Sequence, residues 1–88
     1  MRYRIVVINE RVFLRDMEKI DAKTSTAIKT SIFRLAEEGR STAQVKRLKS
    51  YPVADFRLRV GEYRILFNFS EEWGEIHLLR VLHRSKLY

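Results

Sequence analysis

The chain has 88 residues, a length suited to one domain with a single core, so residues 1–88 are expected to form one domain. Its 18 basic residues against 11 acidic ones give a net charge of +7, which favours nucleic acid, an anionic membrane or an acidic protein segment as partner. The absence of cysteine excludes disulfides, thiolate chemistry and cysteine-bound zinc, and two histidines without a local carboxylate cluster predict no metal site, so no metal and no cofactor are expected.

The N-terminal residues 2–8 predict a β-strand. Ile5, Val6, Val7 and Ile8 make both faces of this strand apolar toward its end, which is typical of a strand in the interior of a sheet. The same apolar run is far too short to span a membrane, and no signal peptide is recognised. The sequence therefore favours a cytoplasmic protein without a membrane partner.

Two amphipathic helices are predicted after this strand. Asn9 is the expected N-cap of the first helix, Asp21 or Ser25 that of the second, and Gly39 the expected left-handed residue at its end. The apolar residues that recur at helical spacing are Val12, Phe13, Met17 and Ile20 in the first helix and Ala27, Ile28, Ile32, Leu35 and Ala36 in the second. Both helices are expected to cover one face of a sheet.

Residues 45–52 connect the second helix to the next strand and carry three basic residues, Lys46, Arg47 and Lys49. These side chains are candidates for contacts with an RNA phosphate backbone. Surface lysines and arginines are equally common on a solvated connector, so both interpretations stay open.

Residues 55–69 predict a β-hairpin. Apolar and polar residues alternate on both sides of Gly61–Glu62, and a glycine that opens a two-residue loop suits a type II′ turn. Such a loop fixes the register and makes the two apolar faces coincide. The predicted pairs are Val60 with Tyr63, Arg59 with Arg64, Leu58 with Ile65 and Arg57 with Leu66.

The predicted register gathers Arg57, Arg59 and Arg64 on the face opposite the core. Like charges directly opposite each other destabilise a sheet, so this cluster indicates an anionic ligand such as a phosphate backbone. The alternative is a solvated face on which the arginine stems cover apolar surface and Asp55 or Glu62 partly neutralises the charge.

A last strand is predicted over about residues 75–83, and its alternation fits two orientations. If odd-numbered residues such as Val81 face the helices, Arg84 lies on the face of the three arginines. If even-numbered residues such as Leu78 face the helices, His83 lies there instead. The sequence leaves both arrangements open.

This α+β order of an N-terminal strand, two helices and an antiparallel three-stranded meander resembles the RelE/ParE superfamily of bacterial type II toxin–antitoxin toxins, and its RelE-like branch in particular. The similarity covers essentially the whole chain, and its most specific segments are residues 45–48, 56–67 and 81–88. The resemblance implies a sheet like that of small microbial ribonucleases. It also implies a ribosome-dependent endonuclease that cuts mRNA in the decoding site, by attack of a ribose 2′-hydroxyl on the adjacent phosphate and without a metal.

The resemblance further implies the residues of the site. The superfamily's functional positions fall on Arg57, Arg59, Arg64, Arg84 and Tyr88. In this interpretation Arg64 stabilises the charge that builds on the phosphate, and Arg84 holds the side of the leaving oxygen. Tyr88 is the candidate general base, because surrounding guanidiniums favour a phenolate, and His83 is its competitor.

Two features depart from the pattern of the best-studied members of the superfamily. Those members have lysines where this chain has Arg57 and Arg59, and because arginine does not give up a proton, a scheme with a lysine base is disfavoured here. Tyr88 is the C-terminal residue of the chain, and stacking on an RNA base is an alternative role for its ring.

The resemblance implies partners as well: the ribosome, mRNA and a cognate antitoxin whose acidic, partly disordered segment folds on the basic surface and forms an oligomer with the toxin. One alternative function is that of ParE-like members, which act on DNA gyrase by binding and typically lack the arginine and tyrosine set. Another is a noncatalytic RNA-binding module, for which exposed aromatic residues beside the basic ones are expected. Tyr63, Phe67 and Phe69 are predicted on the core side instead.

Overall fold

In the computed structural model, which describes residues 2–39, 44–49 and 51–86, two helices pack on one face of a five-stranded sheet. In chain order the elements are β1 (Arg4–Val7), α1 (Glu10–Glu18), α2 (Ala22–Glu38), β2 (Val45–Arg47), β3 (Phe56–Val60), β4 (Tyr63–Ser70), β5 (Glu75–His83) and a final 3-10 turn (Arg84–Lys86). The strand order across the sheet is β1-β5-β4-β3-β2, with β1 parallel to β5 and the other neighbours antiparallel. The predicted α+β class is confirmed. No helix in these ranges is long and apolar enough to cross a membrane.

The hairpin of β3 and β4 has the predicted register. Val60 pairs with Tyr63, and Arg59 pairs with Arg64, so Gly61–Glu62 is the two-residue turn between the strands. Gly61 has a φ of 56°, a left-handed conformation in which a side chain is unfavourable. The alternation of the sequence and one glycine were therefore enough to set this part of the sheet.

Both helices begin at predicted residues, and α2 also ends at one. The side chain of Asn9 accepts a hydrogen bond from the backbone of α1, and Asp21, rather than Ser25, does the same for α2. Gly39, with a φ of 63°, ends α2. The prediction that Ala27 faces the core was wrong, because it lies on the exposed side of the helix. The buried residues of α2 are Ile28, Ile32, Leu35 and Ala36.

The prediction that β1 lies in the interior of the sheet was wrong, because β1 is an edge strand beside β5. Ile5 and Val7 pack against the main core, and Ile8, just beyond the strand, is 53% exposed. Apolar residues on both faces of a strand indicate that both faces are covered. They do not indicate whether the strand lies in the centre of the sheet or at its edge. The sequence pattern was correct about the strand and misleading about its neighbours.

The connector predicted at residues 45–52 contains a strand that the sequence analysis missed. Val45–Arg47 forms β2 at the other edge of the sheet, antiparallel to β3. The segment after β2 then packs on the face of the sheet away from the helices, where a small second core forms. That core consists of Ala54 and Leu66 with the partly buried Leu48, Tyr51, Leu79 and Leu82.

A bulge in β5 explains why neither predicted orientation of this strand holds along its whole length. Leu66 pairs with Arg80 while the next residue of β4 pairs with Leu78, so Leu79 is an extra residue in β5. Leu78 is a core residue before the bulge, as the even-numbered arrangement requires, and Val81 is a core residue after it, as the odd-numbered arrangement requires. The inserted residue exchanges the two faces of the strand.

Candidate nucleic-acid interface

Four basic side chains project from adjacent strands on the face of the sheet away from the helices. Arg57 and Arg59 come from β3, Arg64 from β4 and Lys46 from β2, and we call these four residues the basic face. Lys46 pairs with Arg57 and Arg59 pairs with Arg64, so like charges oppose each other in two pairs. Lys46 and Arg59 are exposed, and the other two are half-buried. This arrangement costs free energy in the free protein, and an anionic ligand offsets that cost.

A shallow groove of about 280 Å³ lies at the β2 side of this face. Its lining residues are Gln44, Val45, Lys46, Arg57 and Arg59. Three of these side chains are cations that carry only hydrogen-bond donors, and guanidinium groups match the geometry of phosphate oxygens. The groove is therefore suited to a phosphate backbone that runs across the edge of the sheet.

The predicted phosphate-binding residues of the connector do not share one surface. Lys46 belongs to the basic face, whereas Arg47 pairs with Phe56 and lies on the helix side, with its guanidinium carbon 5.8 Å from the centre of the Phe56 ring. A cation over an aromatic ring is a structural contact that accounts for Arg47 without a ligand. Lys49 is exposed after β2, in the segment that leads over the second core.

The turn of the hairpin anchors two of the candidate catalytic arginines. Arg64 donates from Nη1 to the carbonyl oxygens of Gly61 and Tyr63, at 2.9 Å and 3.0 Å. Arg84 donates its backbone N–H to the carbonyl oxygen of Glu62 at 2.8 Å, and its Nε lies 2.5 Å from the Glu62 carboxylate. Arg84 thus stands just past the end of β5, at the hairpin end of the sheet. Sequence reasoning considered Glu62 only as a partial neutraliser of the basic face and missed its contact with Arg84.

His83 lies apart from the basic face. It pairs with Tyr63 on the helix side of the sheet, and the two rings meet edge to face with centroids 5.5 Å apart. Its Nδ1 lies 2.9 Å from the Ser85 hydroxyl and accepts a hydrogen bond from the Ser85 backbone N–H. Tyr88, the other candidate for the general base, lies outside the described residues. His83 therefore lies on the side of the sheet opposite the arginines of the basic face.

A buried ion pair that the sequence analysis missed joins α1 to β5. Asp16 is only 7% exposed, and it accepts hydrogen bonds from Nε and Nη2 of Arg80 and from the backbone N–H of Val81, at 2.8 to 3.0 Å. Burial opposes the charge of this carboxylate, but the bonds from Arg80 and Val81 and the attraction of Arg80 and Lys19 together hold the pKa of Asp16 below its usual value. The signal in the sequence was a carboxylate inside the apolar stripe of the first helix.

The described part of the site offers no set of side chains that suits a metal ion. Across residues 2–39, 44–49 and 51–86, no three His, Asp or Glu side chains come together as ligands. The charged groups of the groove and the basic face donate hydrogen bonds and carry positive charge, so they select oxyanions and repel cations.

Comparisons with known proteins identify the family. The sequence model of the ParE toxin of type II toxin–antitoxin systems (parDE) matches residues 7–88. No curated protein is significantly similar in sequence. The toxin–antitoxin complex RelBE2 from Mycobacterium tuberculosis contains a chain with 26% identity and a TM-score of 0.77, over 96% of this chain and 100% of that one.

Two further structures share the fold at lower identity. The RelB–RelE antitoxin–toxin complex from Methanococcus jannaschii has 24% identity and a TM-score of 0.69, over 97% of this chain and 94% of that one. The isolated RelE toxin of E. coli has 22% identity and a TM-score of 0.68, over 98% and 90% of the two chains. Because the family match covers nearly the whole sequence, the chain belongs to the ParE toxin family of the RelE/ParE superfamily and is a toxin of a type II toxin–antitoxin system.

Proposed function

We propose that this toxin is an endoribonuclease that cleaves mRNA in the ribosomal A site and so inhibits translation. The observation that carries the proposal is the basic face, where Lys46, Arg57, Arg59 and Arg64 lie side by side on three adjacent strands. Four like charges on neighbouring strands are an unfavourable arrangement unless an anion binds. The phosphates of a single RNA strand supply closely spaced negative charges of that kind.

The proposed reaction is attack of a ribose 2′-hydroxyl on the adjacent phosphate, without a metal. As the P–O bond to the 2′-oxygen forms, negative charge grows on the nonbridging oxygens. The bond to the 5′-oxygen then breaks, the 5′-oxygen takes a proton from water, and the other fragment ends in a 2′,3′-cyclic phosphate. Arg64 is suited to stabilise that charge, because the turn carbonyls that bind its Nη1 fix the position of its guanidinium group. Arg84 holds the leaving oxygen, and Arg57 and Arg59 with Lys46 hold the flanking phosphates.

Proton transfer is assigned to Tyr88 rather than to an arginine. The 2′-hydroxyl must lose a proton, and arginine does not accept one in its cationic form. Tyr88 is the proposed general base, because guanidinium groups near a phenol favour its anion. The position of His83 on the helix side argues against the alternative that this histidine acts on a phosphate bound at the basic face.

The proposed partners are the ribosome with its mRNA and a cognate antitoxin. The relatives from M. tuberculosis and M. jannaschii were crystallised as complexes with their antitoxins. For this chain we propose an antitoxin with an acidic, partly disordered segment that folds over the basic face and forms an oligomer with the toxin in the cytoplasm. Such a segment competes with RNA for the same cations.

The test is to map mRNA cleavage on programmed ribosomes with the wild type, Arg64→Ala and Tyr88→Phe. We expect cuts within the codon of the A site, a rate lowered about 100-fold or more in Arg64→Ala, and a slower reaction in Tyr88→Phe. Arg34→Ala is the matched control, because Arg34 is an exposed arginine of α2 on the helix side. Intact mRNA with the wild-type toxin and a purified, active translation system rejects the proposal.

A second candidate function is inhibition of DNA gyrase by binding. The family match to the ParE toxin favours it, because ParE-like members act in that way. A supercoiling assay with the same preparation separates the two: inhibited supercoiling with intact mRNA assigns the toxin to the gyrase-binding group. Intact mRNA with active gyrase leaves a basic module that binds RNA without cleaving it.

A further inference from the structure

A cavity of about 150 Å³ lies where the C-terminal end of α1 meets the last residues of β5. It lies at the edge of β5 beyond the end of β1, with Tyr63 and His83 lining it from the helix side and Arg80 and Leu82 from the other face. The polar side chains around it are Asp16, Lys19, Tyr63, Arg80, His83 and Lys86. None of the four residues of the basic face is among them.

The one carboxylate at this cavity is already fully engaged. Both oxygens of Asp16 accept hydrogen bonds from Arg80, and one of them also accepts the Val81 backbone N–H. A carboxylate with three such donors has little capacity for another cation. The pair of Asp16 and Arg80 is therefore close to neutral, so the excess positive charge around the cavity comes from Lys19 and Lys86.

The remaining polar groups are donors. Lys19 and Lys86 contribute ammonium groups, and neither has a hydrogen-bond acceptor among the described residues. The Nδ1 atom of His83 accepts a hydrogen bond from the Ser85 backbone N–H, which leaves Nε2 as the donor of the neutral ring. The Tyr63 hydroxyl is a further group able to donate. With three cations against one carboxylate, the lining has a net charge of +2 when His83 is neutral.

The size of the cavity restricts which ligands it can hold. Sites that enclose a drug-sized molecule begin at roughly 300 Å³, whereas a water molecule takes up about 30 Å³ of liquid. A space of about 150 Å³ is too small for a whole nucleotide and large enough for one tetrahedral oxyanion with its first waters. The donors and the size together select a phosphate group whose substituent extends into solvent.

We propose that this cavity, formed by α1 and the end of β5, is a second phosphate-binding site of the toxin. No residue of the basic face lines it, so a phosphate bound here is distinct from one held by Arg57 and Arg59 and belongs to another phosphate of a nucleic acid, or to a free or terminal phosphate. The site does not depend on the proposed cleavage, because it requires binding and no chemistry.

The experiment is a titration of the ¹⁵N-labelled full-length toxin followed by NMR, with three probes in separate series. The probes are inorganic phosphate, adenosine 5′-monophosphate and a short 2′-O-methyl RNA with a 5′-hydroxyl end. We expect saturable shifts of the backbone resonances of Lys19, His83 and Lys86. Binding of the RNA assigns the site to backbone phosphodiesters, and binding of the first two probes alone assigns it to free or terminal phosphate; both results support the site.

The variant Lys19→Gln/Lys86→Gln tests which groups bind. Both residues are exposed, so the fold is expected to persist, and an unchanged spectrum elsewhere verifies this. Loss of both ammonium groups should weaken binding at these resonances about tenfold or more. Lys23→Gln/Lys29→Gln, which removes two exposed lysines of α2, is the matched control and should leave the affinity unchanged. The absence of saturable shifts at the cavity with all three probes, or equal affinity in both double variants, overturns the proposal.

Discussion

Glu62 connects the turn of the hairpin to the C-terminal end of the described chain. Its carbonyl oxygen accepts the backbone N–H of Arg84, and its carboxylate pairs with the guanidinium of the same residue. Both side chains are about 60% exposed, so the ion pair contributes little to the stability of the fold. The ion pair instead restricts the orientation of the Arg84 side chain, because an arginine held at both its backbone and its side chain samples fewer orientations.

If the proposed cleavage holds, Glu62→Gln should lower both KM and kcat. The substitution removes a negative charge near the incoming phosphates, which strengthens RNA binding, and it keeps a weaker acceptor for Arg84, which loosens that side chain. We expect changes of about twofold to fivefold in each constant, as for other exposed ion pairs. Steady-state cleavage on programmed ribosomes measures both constants.

Two comparisons make the Glu62 prediction specific. Glu72→Gln removes an exposed carboxylate from the turn at the opposite end of β4 and should change neither constant. In the Arg84→Ala background, Glu62→Gln should have no further effect on kcat, because the side chain that it orients is absent. A kcat effect of equal size in both backgrounds contradicts a role through Arg84.

Two glycines with similar φ values should respond differently to substitution by alanine. Gly61 has a φ of 56°, and a Cβ there would have no atom beyond its chain neighbours within 4 Å, so Gly61→Ala carries only the backbone cost of about 1 kcal/mol. Gly39 has a φ of 63°, and a Cβ there would lie 2.8 Å from Cε2 of Tyr3. The Tyr3 ring is 5% exposed, and its hydroxyl donates to Glu71, so it has little room to move.

We therefore expect Gly39→Ala to lower the free energy of unfolding by about 3 kcal/mol, because overpacking adds to the backbone cost. Urea denaturation at neutral pH compares the two variants with the wild type. Equal destabilisation of the two would show that the Tyr3 ring yields to the added methyl group.

At the scale of elements, α1 completes the edge of β5 where β1 ends. The parallel pairing of β1 and β5 stops at Val7 and Leu78, and the backbone N–H of Val81 further along β5 is bound by the carboxylate of Asp16. A side chain from a helix thus takes the place of a strand carbonyl. The same carboxylate binds Arg80, which fixes α1 against the sheet.

Asp16→Ala should lower the free energy of unfolding at pH 7 by about 3 kcal/mol, because it leaves the Val81 N–H and the partly buried Arg80 without their acceptor. The folded pKa of Asp16 is below its unfolded value of about 3.9, so its charged form stabilises the fold above that pH. This stabilisation is lost as the pH falls through the folded pKa. The difference between wild type and Asp16→Asn should therefore shrink below about pH 4.

Urea unfolding at a series of pH values from 7 to 3 measures this dependence. Glu18→Gln is the control, because Glu18 is an exposed carboxylate on the same helix. Its free energy of unfolding should follow the wild type across the whole pH range. An Asp16→Asn difference that stays constant down to pH 3 contradicts the assigned direction of the pKa.

The elements that the sequence predicted are those fixed by local rules. The hairpin register follows from alternation and one turn, and the helix caps follow from single side chains such as Asn9 and Asp21. The parts that were missed depend on distant segments. Val45–Arg47 is a strand because β3 offers it an edge, and Leu79 is a bulge residue because the two halves of β5 face different neighbours. No local pattern encodes such partners.

The candidate site likewise has some features that follow from local rules and others that depend on distant segments. The cluster of Arg57, Arg59 and Arg64 was predictable because it depends on the hairpin alone. The addition of Lys46 needed the position of β2, and the separation of His83 needed the bulge in β5. The roles proposed for these residues, and for Tyr88 outside the described ranges, remain predictions that the cleavage assays test.

At the scale of the whole molecule, the distribution of the charge matters more than its total of +7. Exposed arginines such as Arg15 and Arg34 lie on the helices, yet within the described parts of the chain only the basic face sets cations on adjacent strands at the spacing of paired residues. Affinity for RNA that comes from neutralised phosphates falls linearly with salt on a logarithmic scale, and the slope reports how many phosphates are neutralised. Comparing the salt slopes of variants therefore shows which side chains contact the RNA phosphates, whereas an affinity at one salt concentration does not.

We expect Arg57→Ala and Arg59→Ala each to weaken binding of a 2′-O-methyl RNA, which lacks the attacking hydroxyl, and to reduce the magnitude of the salt slope by about 0.7. Fluorescence anisotropy at a series of salt concentrations measures the slope for each variant. Arg15→Ala and Arg34→Ala carry the same change in net charge on the helix side, so they should keep the wild-type slope. If all four variants lower the slope equally, the protein attracts RNA by its total charge, and the basic face has no special part in binding.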